Sequence, residues 1–250
     1  MKRYLVLILG LAVAAVSAAG LKSIPVGEGD LIIYGKNYHD SSASPVYVVD
    51  ATYPQIRDFS DEKIQERVNS EIDQTIMSQV DNFKREMADW NETDIPIEAY
   101  SYYEFVFHIS MANHNIFSTE LVNYSYYKGA AHPNSDFSAL NYDMNSGDKI
   151  ELKDLFKPGS DYLDVISKYC IGDLVKQWDG DDYSDDEWLK QGAGPNEDNF
   201  KTFLIMQDGI KIVFDAYQVA AYAAGPQEVT IPYSVMMSII DKDGILKPFL

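Results

Sequence analysis

Ile64, Val68, Ile72, Ile76, Val80, Phe83, Met87 and Trp90 recur at spacings of four or three. An α-helix turns once in 3.6 residues, so this spacing gathers the eight on one stripe. It predicts one long helix from Asp61 to about Trp90, with Ser60 as N-cap and Asp61 and Glu62 in the positive first turn. Past the turn-forming residues 91–96 the period changes. Tyr103, Phe105, Phe107, Ile109 and Met111 alternate with Tyr102, Glu104, Val106, His108 and Ser110, the pattern of a half-buried strand.

Further elements follow from the same signals. Val46 to Tyr53 is a β-rich run that stops at Pro54, and Leu31 to Tyr34 is an apolar patch with the composition of an edge strand. Ile116 to Tyr127 pairs with the preceding strand as a hairpin, 128–136 is a loop, and Ala139 to Met144 and Ile150 to Leu152 continue the sheet. Tyr162, Ile166, Tyr169, Cys170, Leu174 and Trp178 mark a second amphipathic helix. Strands at Phe200–Met206 and Ile210–Phe214 meet at Asp208-Gly209, a hairpin signal. A last strand ends at Ile231-Pro232, and 233–240 reads as a short helix. Long helices interrupting antiparallel hairpins predict an α+β fold, an antiparallel sheet with two long amphipathic helices packed on one side. The expected organisation is a signal peptide at 1–19, a linker at 20–44, a strand-helix region at 45–98 and an α+β domain at 99–250 that forms one compact unit with it.

The N-terminus carries the targeting information. Lys2 and Arg3 precede an apolar run from Tyr4 to Val16, and Val16-Ser17-Ala18 or Ser17-Ala18-Ala19 supplies the small residues of a cleavage site. The run is shorter than the roughly 20 residues that span a bilayer. Export to the periplasm or beyond, with no transmembrane anchor after cleavage, is therefore the expectation; an uncleaved anchor is the competing one. The formal net charge of −19 becomes −21 once Lys2 and Arg3 are removed. That sign disfavours nucleic acid, which needs clustered basic side chains, and favours either a basic partner or simple solubility.

Catalytic signatures are sparse. The sequence contains no G-x-S-x-G, H-E-x-x-H, P-loop or G-x-G-x-x-G motif. His39, His108, His114 and His132 are scattered, and Cys170 is the only cysteine, so neither a zinc site, a disulfide nor a cofactor is expected. Six carboxylates lie between Asp179 and Glu187 without EF-hand spacing, which reads as a solvated acidic loop before it reads as a calcium site. Trp178 and Trp188 bracket it and are expected to pin its ends to the core.

Two stretches combine tyrosine with small residues. Tyr124 to Asn134 runs from a strand through Gly129, Ala130 and Ala131 to His132, Pro133 and Asn134. Asp215 to Pro226 follows another strand and includes Tyr217, Tyr222 and a Gly225-Pro226 stop. Rigid aromatic loops of this kind form binding edges, although tight β-connections with tyrosines packed on a sheet account for the same residues.

The run 126–134, Asn141-Tyr142-Asp143 with Gly147, and Leu152-Lys153-Asp154-Leu155-Phe156 resemble an exported domain family with a Gly-Gly-Ala-His loop, an Asn-Tyr-Asp strand and a Leu-x-Asp-Leu-Phe segment. Asp208-Gly209, Tyr217, 222–226 and Ile231-Pro232-Tyr233 look like its C-terminal half, and 46–90 like its companion N-terminal region. The family includes the ectodomains of RsiV-type anti-sigma factors, which bind lysozyme, and the region preceding the catalytic module of PdaC-type peptidoglycan deacetylases. Two departures stand out: Ala130 replaces the second loop glycine, and Ala221 stands where proline is usual. The deacetylase metal motifs and an anti-sigma segment with a membrane span are not found in the sequence, so neither activity carries over.

The resemblance implies a cell-envelope binding protein whose partner is a basic protein such as lysozyme, or a peptidoglycan glycan. The expected contact residues are Tyr126, Tyr127, Gly129, His132, Pro133, Asn134, Tyr217 and Tyr222. Two alternatives stay open: a cell-wall hydrolase with His132 as general base beside Asp136 or Asp215, and a structural envelope domain without a small ligand.

Overall fold

A computed structural model describes residues 31–89, 100–178 and 187–250. The signal-peptide expectation and the acidic stretch up to Asp186 lie outside the described residues. The chain runs through β1 (Ile32–Ala43), β2 (Val46–Arg57), α1 (Glu62–Asp89), β3 (Ser101–Ala112), β4 (Ile116–Tyr126), β5 (Asn134–Asp143) and β6 (Asp148–Lys149). It continues with α2 (Tyr162–Gln177), α3 (Glu187–Gly192), β7 (Phe203–Ile205), β8 (Gly209–Phe214), β9 (Gln227–Pro232) and α4 (Tyr233–Met236).

The α+β class is borne out, and the tertiary arrangement refines it. The strands form two sheets, one of order β1-β2-β3-β4-β5-β6 and one of order β7-β8-β9. Each long helix serves its own sheet. In α1, Val68, Ile72, Ile76, Val80, Phe83 and Met87 are at most 1 % exposed and pack on one face of the six-stranded sheet. Each such burial is worth about 1.5–3 kcal/mol. On α2, Ile166, Cys170 and Leu174 join a second core with β7–β9 and α4. The pairing of β2 with β3 is parallel, because α1 is the crossover that returns the chain to the same end of the sheet.

Local corrections have local causes. The stretch read as linker contains the 12-residue edge strand β1, paired with β2 along its length. Strand β2 runs past Pro54 to Arg57, since β3 pairs only with residues 47–51 and the missing proline N–H leaves no gap beyond them. A register shift between Ile109 and Met111 turns Met111 into the second core, away from the face that Tyr103 and Phe105 share. The segment 150–155 ends as a 3₁₀ turn, and β7 begins at Phe203 after another 3₁₀ turn at Glu197–Phe200. The helix expected over 233–240 is a single turn, Tyr233–Met236.

The two sheets are joined through side chains. Ser118 Oγ accepts from Ile205 N at 3.0 Å, Ser110 Oγ donates to Ile205 O at 2.8 Å, and Asn141 Nδ2 donates to Phe203 O at 2.9 Å. These bonds satisfy backbone groups on the outer edge of β7 that no strand pairs. This docking brings the loop after β8 against the loop before β5.

Candidate functional site

The loop from 127 to 133 begins as a turn, with Ala130 N donating to Tyr127 O at 2.8 Å and Gly129 at φ 93°. Gly129 alone needs the left-handed region here, so alanine at position 130 carries no backbone strain. In the second loop, Ala221 has φ −62° and ψ 153°, the conformation proline imposes, so the departure from the family pattern keeps the backbone. Gln218 ties this loop down: its Nε2 donates to Gly192 O and Asn199 O, each at 3.0 Å, and its Oε1 accepts from Asp215 N.

The two loops meet through aromatic rings. His132 stacks on Tyr222 with centroids 4.1 Å apart and planes at 26°, and Tyr217 leans on Tyr222 at 5.3 Å. The Tyr222 hydroxyl donates to Pro133 O at 2.8 Å. Tyr217 is 54 % exposed and sits at φ 70°, a region an aromatic residue rarely occupies. Its carbonyl is held by Trp188 Nε1 at 2.8 Å, while Trp178 Nε1 donates to Gln227 Oε1, so both tryptophans anchor the ends of the acidic stretch. His132, Pro133, Tyr217 and Tyr222 thus form one platform.

The other expected contact residues lie elsewhere. Strand alternation sends Tyr126 and Tyr127 to opposite faces of the sheet. Tyr126 stacks on Tyr102, whereas Tyr127 packs on Phe83 of α1 and donates its hydroxyl to Glu86. Tyr127 and Asn134 line a groove of about 370 Å³ between α1 and the sheet, on the other flank of the loop that carries His132. Gly129 is exposed at the turn and shapes the backbone.

The groove contains residues that the sequence pattern did not single out. Asn123 and Ser125 stand on the face of β4 that carries Leu121, yet they are polar and only 7 % and 5 % exposed. Asn123 Oδ1 has no hydrogen-bond donor, a state that costs about 1–3 kcal/mol when buried. The legible signal was polarity on the inward parity of an apolar strand. Burial and the nearby Asp215 charge raise the Asp136 pKa, with Lys201 opposing. Burial also pushes the Tyr103 hydroxyl up to about 12.

A general base at 132 was expected to work beside Asp136 or Asp215. The His132 ring contacts Tyr222, its Nδ1 meets Pro133 O at 2.9 Å, and Asp215 Oδ1 accepts from Phe137 N. Among the described residues, no three His, Cys, Asp or Glu side chains gather as a metal site requires. No helix among them is long and apolar enough to cross a membrane.

Comparison with known proteins falls into two adjacent parts. Residues 41–135 match the family model described as deacetylase PdaC, and residues 153–234 match a protein family of unknown function, DUF3298. The two matches follow one another along the chain, and each takes in less than half of it. The peptidoglycan-N-acetylmuramic acid deacetylase PdaC of Bacillus subtilis is 36 % identical over 121 residues, which cover 48 % of this chain and 26 % of that protein. The immunogenic protein MPT64 of Mycobacterium tuberculosis is 28 % identical over 112 residues, covering 45 % of this chain and 47 % of that one. The chain therefore spans about a quarter to a half of the lengths of these curated relatives. Two solved DUF3298 structures share the fold. One from Bacteroides fragilis has a TM-score of 0.65 at 17 % identity, covering 85 % of this chain and 94 % of its own. One from Pseudomonas aeruginosa has a TM-score of 0.60 at 13 % identity, covering 86 % and 95 %. The PdaC match takes in β2, α1, β3 and β4 with the His132 loop, and the DUF3298 match takes in the loop of Tyr217 and Tyr222, so the platform is built from both.

Proposed function

We propose that the chain is an exported cell-envelope recognition module that docks a basic protein of the lysozyme type on the edge formed by these two loops. The observation that carries this reading is the convergence of His132, Tyr217 and Tyr222 on one partly exposed platform. Tyrosine supplies contact area at low entropic cost, which suits a docking surface. The net charge of −19 supports a basic partner through faster encounter and charge complementarity. The sequence resemblance to RsiV-type ectodomains supports the same partner class.

Calorimetry of the chain against hen lysozyme at low and moderate salt tests it. Saturable binding that survives moderate salt and falls at least tenfold in Tyr222→Ala is the expected result, since loss of an interface aromatic commonly exceeds about 1.4 kcal/mol. Binding that vanishes with salt would show only attraction between opposite charges. A second reading, peptidoglycan glycan as ligand, is favoured by the stacked rings, which suit a sugar face, and by the similarity to the Bacillus peptidoglycan deacetylase. Co-sedimentation with purified sacculi, lost in Tyr222→Ala, separates it from the first.

A further inference from the structure

The platform leaves unexplained the groove on the other flank of its loop. Its walls are aromatic: Phe83 stacks on Tyr103 at 4.9 Å and meets Tyr127 at 5.6 Å. Its floor includes the buried Asn123 amide, whose Oδ1 is unpartnered, and its rim carries the carboxylates of Glu86 and Asp136. Among the described residues that line it, none is Lys, Arg or His.

The unmet chemistry is therefore of one sign. An acceptor lacks a donor, and two carboxylates share a rim without a lining cation. Asp215 adds a third charge near Asp136, whose carboxyl stays above its usual range despite Lys201. An anion is repelled by such a rim, and a neutral polyol leaves its charge uncompensated. A planar or compact organic cation supplies donors, positive charge and a face for the rings at once.

We propose that this groove is a pocket for a guanidinium or ammonium side chain projecting from a basic partner protein. The proposal rests on the docking function above only for the source of the cation; the chemistry of the pocket is independent of it. A partner side chain seated here would place the rest of its surface against the neighbouring His132 loop, so that pocket and platform are read together.

The probe is Nα-acetyl-L-arginine methylamide, with the neutral citrulline counterpart as control, added to the whole chain and followed by NMR through the backbone amide of Ser125, a groove residue that every variant below retains. The arginine compound is expected to shift that signal saturably and to bind about fivefold or more tighter than citrulline, the scale of one partly screened charge pair. Glu86→Gln and Asp136→Asn are each expected to remove much of that preference. Asn123→Leu, which deletes an unsatisfied group from a buried position, is expected to fold and to weaken binding. Equal binding of arginine and citrulline, no saturable shift with either, or undiminished arginine binding in all three variants overturns the pocket. Lysozyme that binds the wild type, fails with Tyr222→Ala and binds Glu86→Gln at full strength likewise overturns the pocket while leaving the docking function intact. Saturable arginine binding with no lysozyme binding supports the pocket and overturns the lysozyme-type partner.

Discussion

The Tyr222 hydroxyl donates to the carbonyl of Pro133 at 2.8 Å across 89 positions of sequence, and the same tyrosine ring carries His132 face to face. One side chain thus fixes two loops that belong to separately matched regions of the chain. The platform exists because β7 docks on the large sheet through Ser110, Ser118 and Asn141, which sets the loop after β8 beside the loop before β5. Three expectations follow for residues around it.

Tyr217→Gly tests whether that ring is kept for contact. At φ 70° an L-residue carries about 1–2 kcal/mol of backbone strain that glycine does not. Tyr217 is 54 % exposed, so only part of its surface leaves a buried setting with the ring, and the relieved strain offsets that loss. Urea unfolding is expected to show stability unchanged or higher by up to about 1 kcal/mol, once greater glycine flexibility in the unfolded chain is counted. Ligand affinity is expected to fall in the same variant. A clear loss of stability would make the ring structural.

Gly192→Ala tests the lock beneath the platform. A Cβ at this buried position would lie 1.9 Å from Gln218 O and 3.0 Å from Val219 Cγ1. The backbone must yield, at about 1–3 kcal/mol for overpacking. Since Gln218 Nε2 also donates to Gly192 O, the Tyr217 loop should loosen with it. Trp188, hydrogen-bonded to Tyr217 O, is expected to report the change as altered fluorescence before global unfolding.

Asp136→Asn has a pH signature with a definite sign. Burial and Asp215 raise the Asp136 pKa in the folded state. The favourable contribution of its neutral form is complete below the ordinary value of 3.8 and is lost as pH rises through the raised one. The variant should therefore melt higher than wild type at pH 7, with the difference shrinking towards zero below pH 3.8. Thermal scans at both values check it, and a variant that melts lower at pH 7 would mean that attraction to Lys201 outweighs burial.

Much of the local structure was legible because it depends on period. The stripe from Ile64 to Met87 places α1 within a residue of its expected start, and the alternation from Tyr103 defines β3. The same rule also separates Tyr126 from Tyr127, and applying it to the whole of β4 exposes Asn123 and Ser125 as polar residues on an apolar face. The bulge at 109–111 was not legible, since one extra residue leaves composition and mean periodicity almost unchanged while reversing the direction of Met111.

By itself, the sequence determined the helix faces, the strand parities, the two tyrosine-rich loops and the net charge, all properties of residues a few positions apart. The tertiary structure alone decided that the strands divide into two sheets, that His132 meets Tyr222, and that Glu86 of α1 faces the same groove as Asp136 of β5. Those pairings depend on how β7 docks and where α1 crosses the sheet. Such long-range contacts arise from shape and hydrogen-bond complementarity between whole surfaces, which no local spacing encodes.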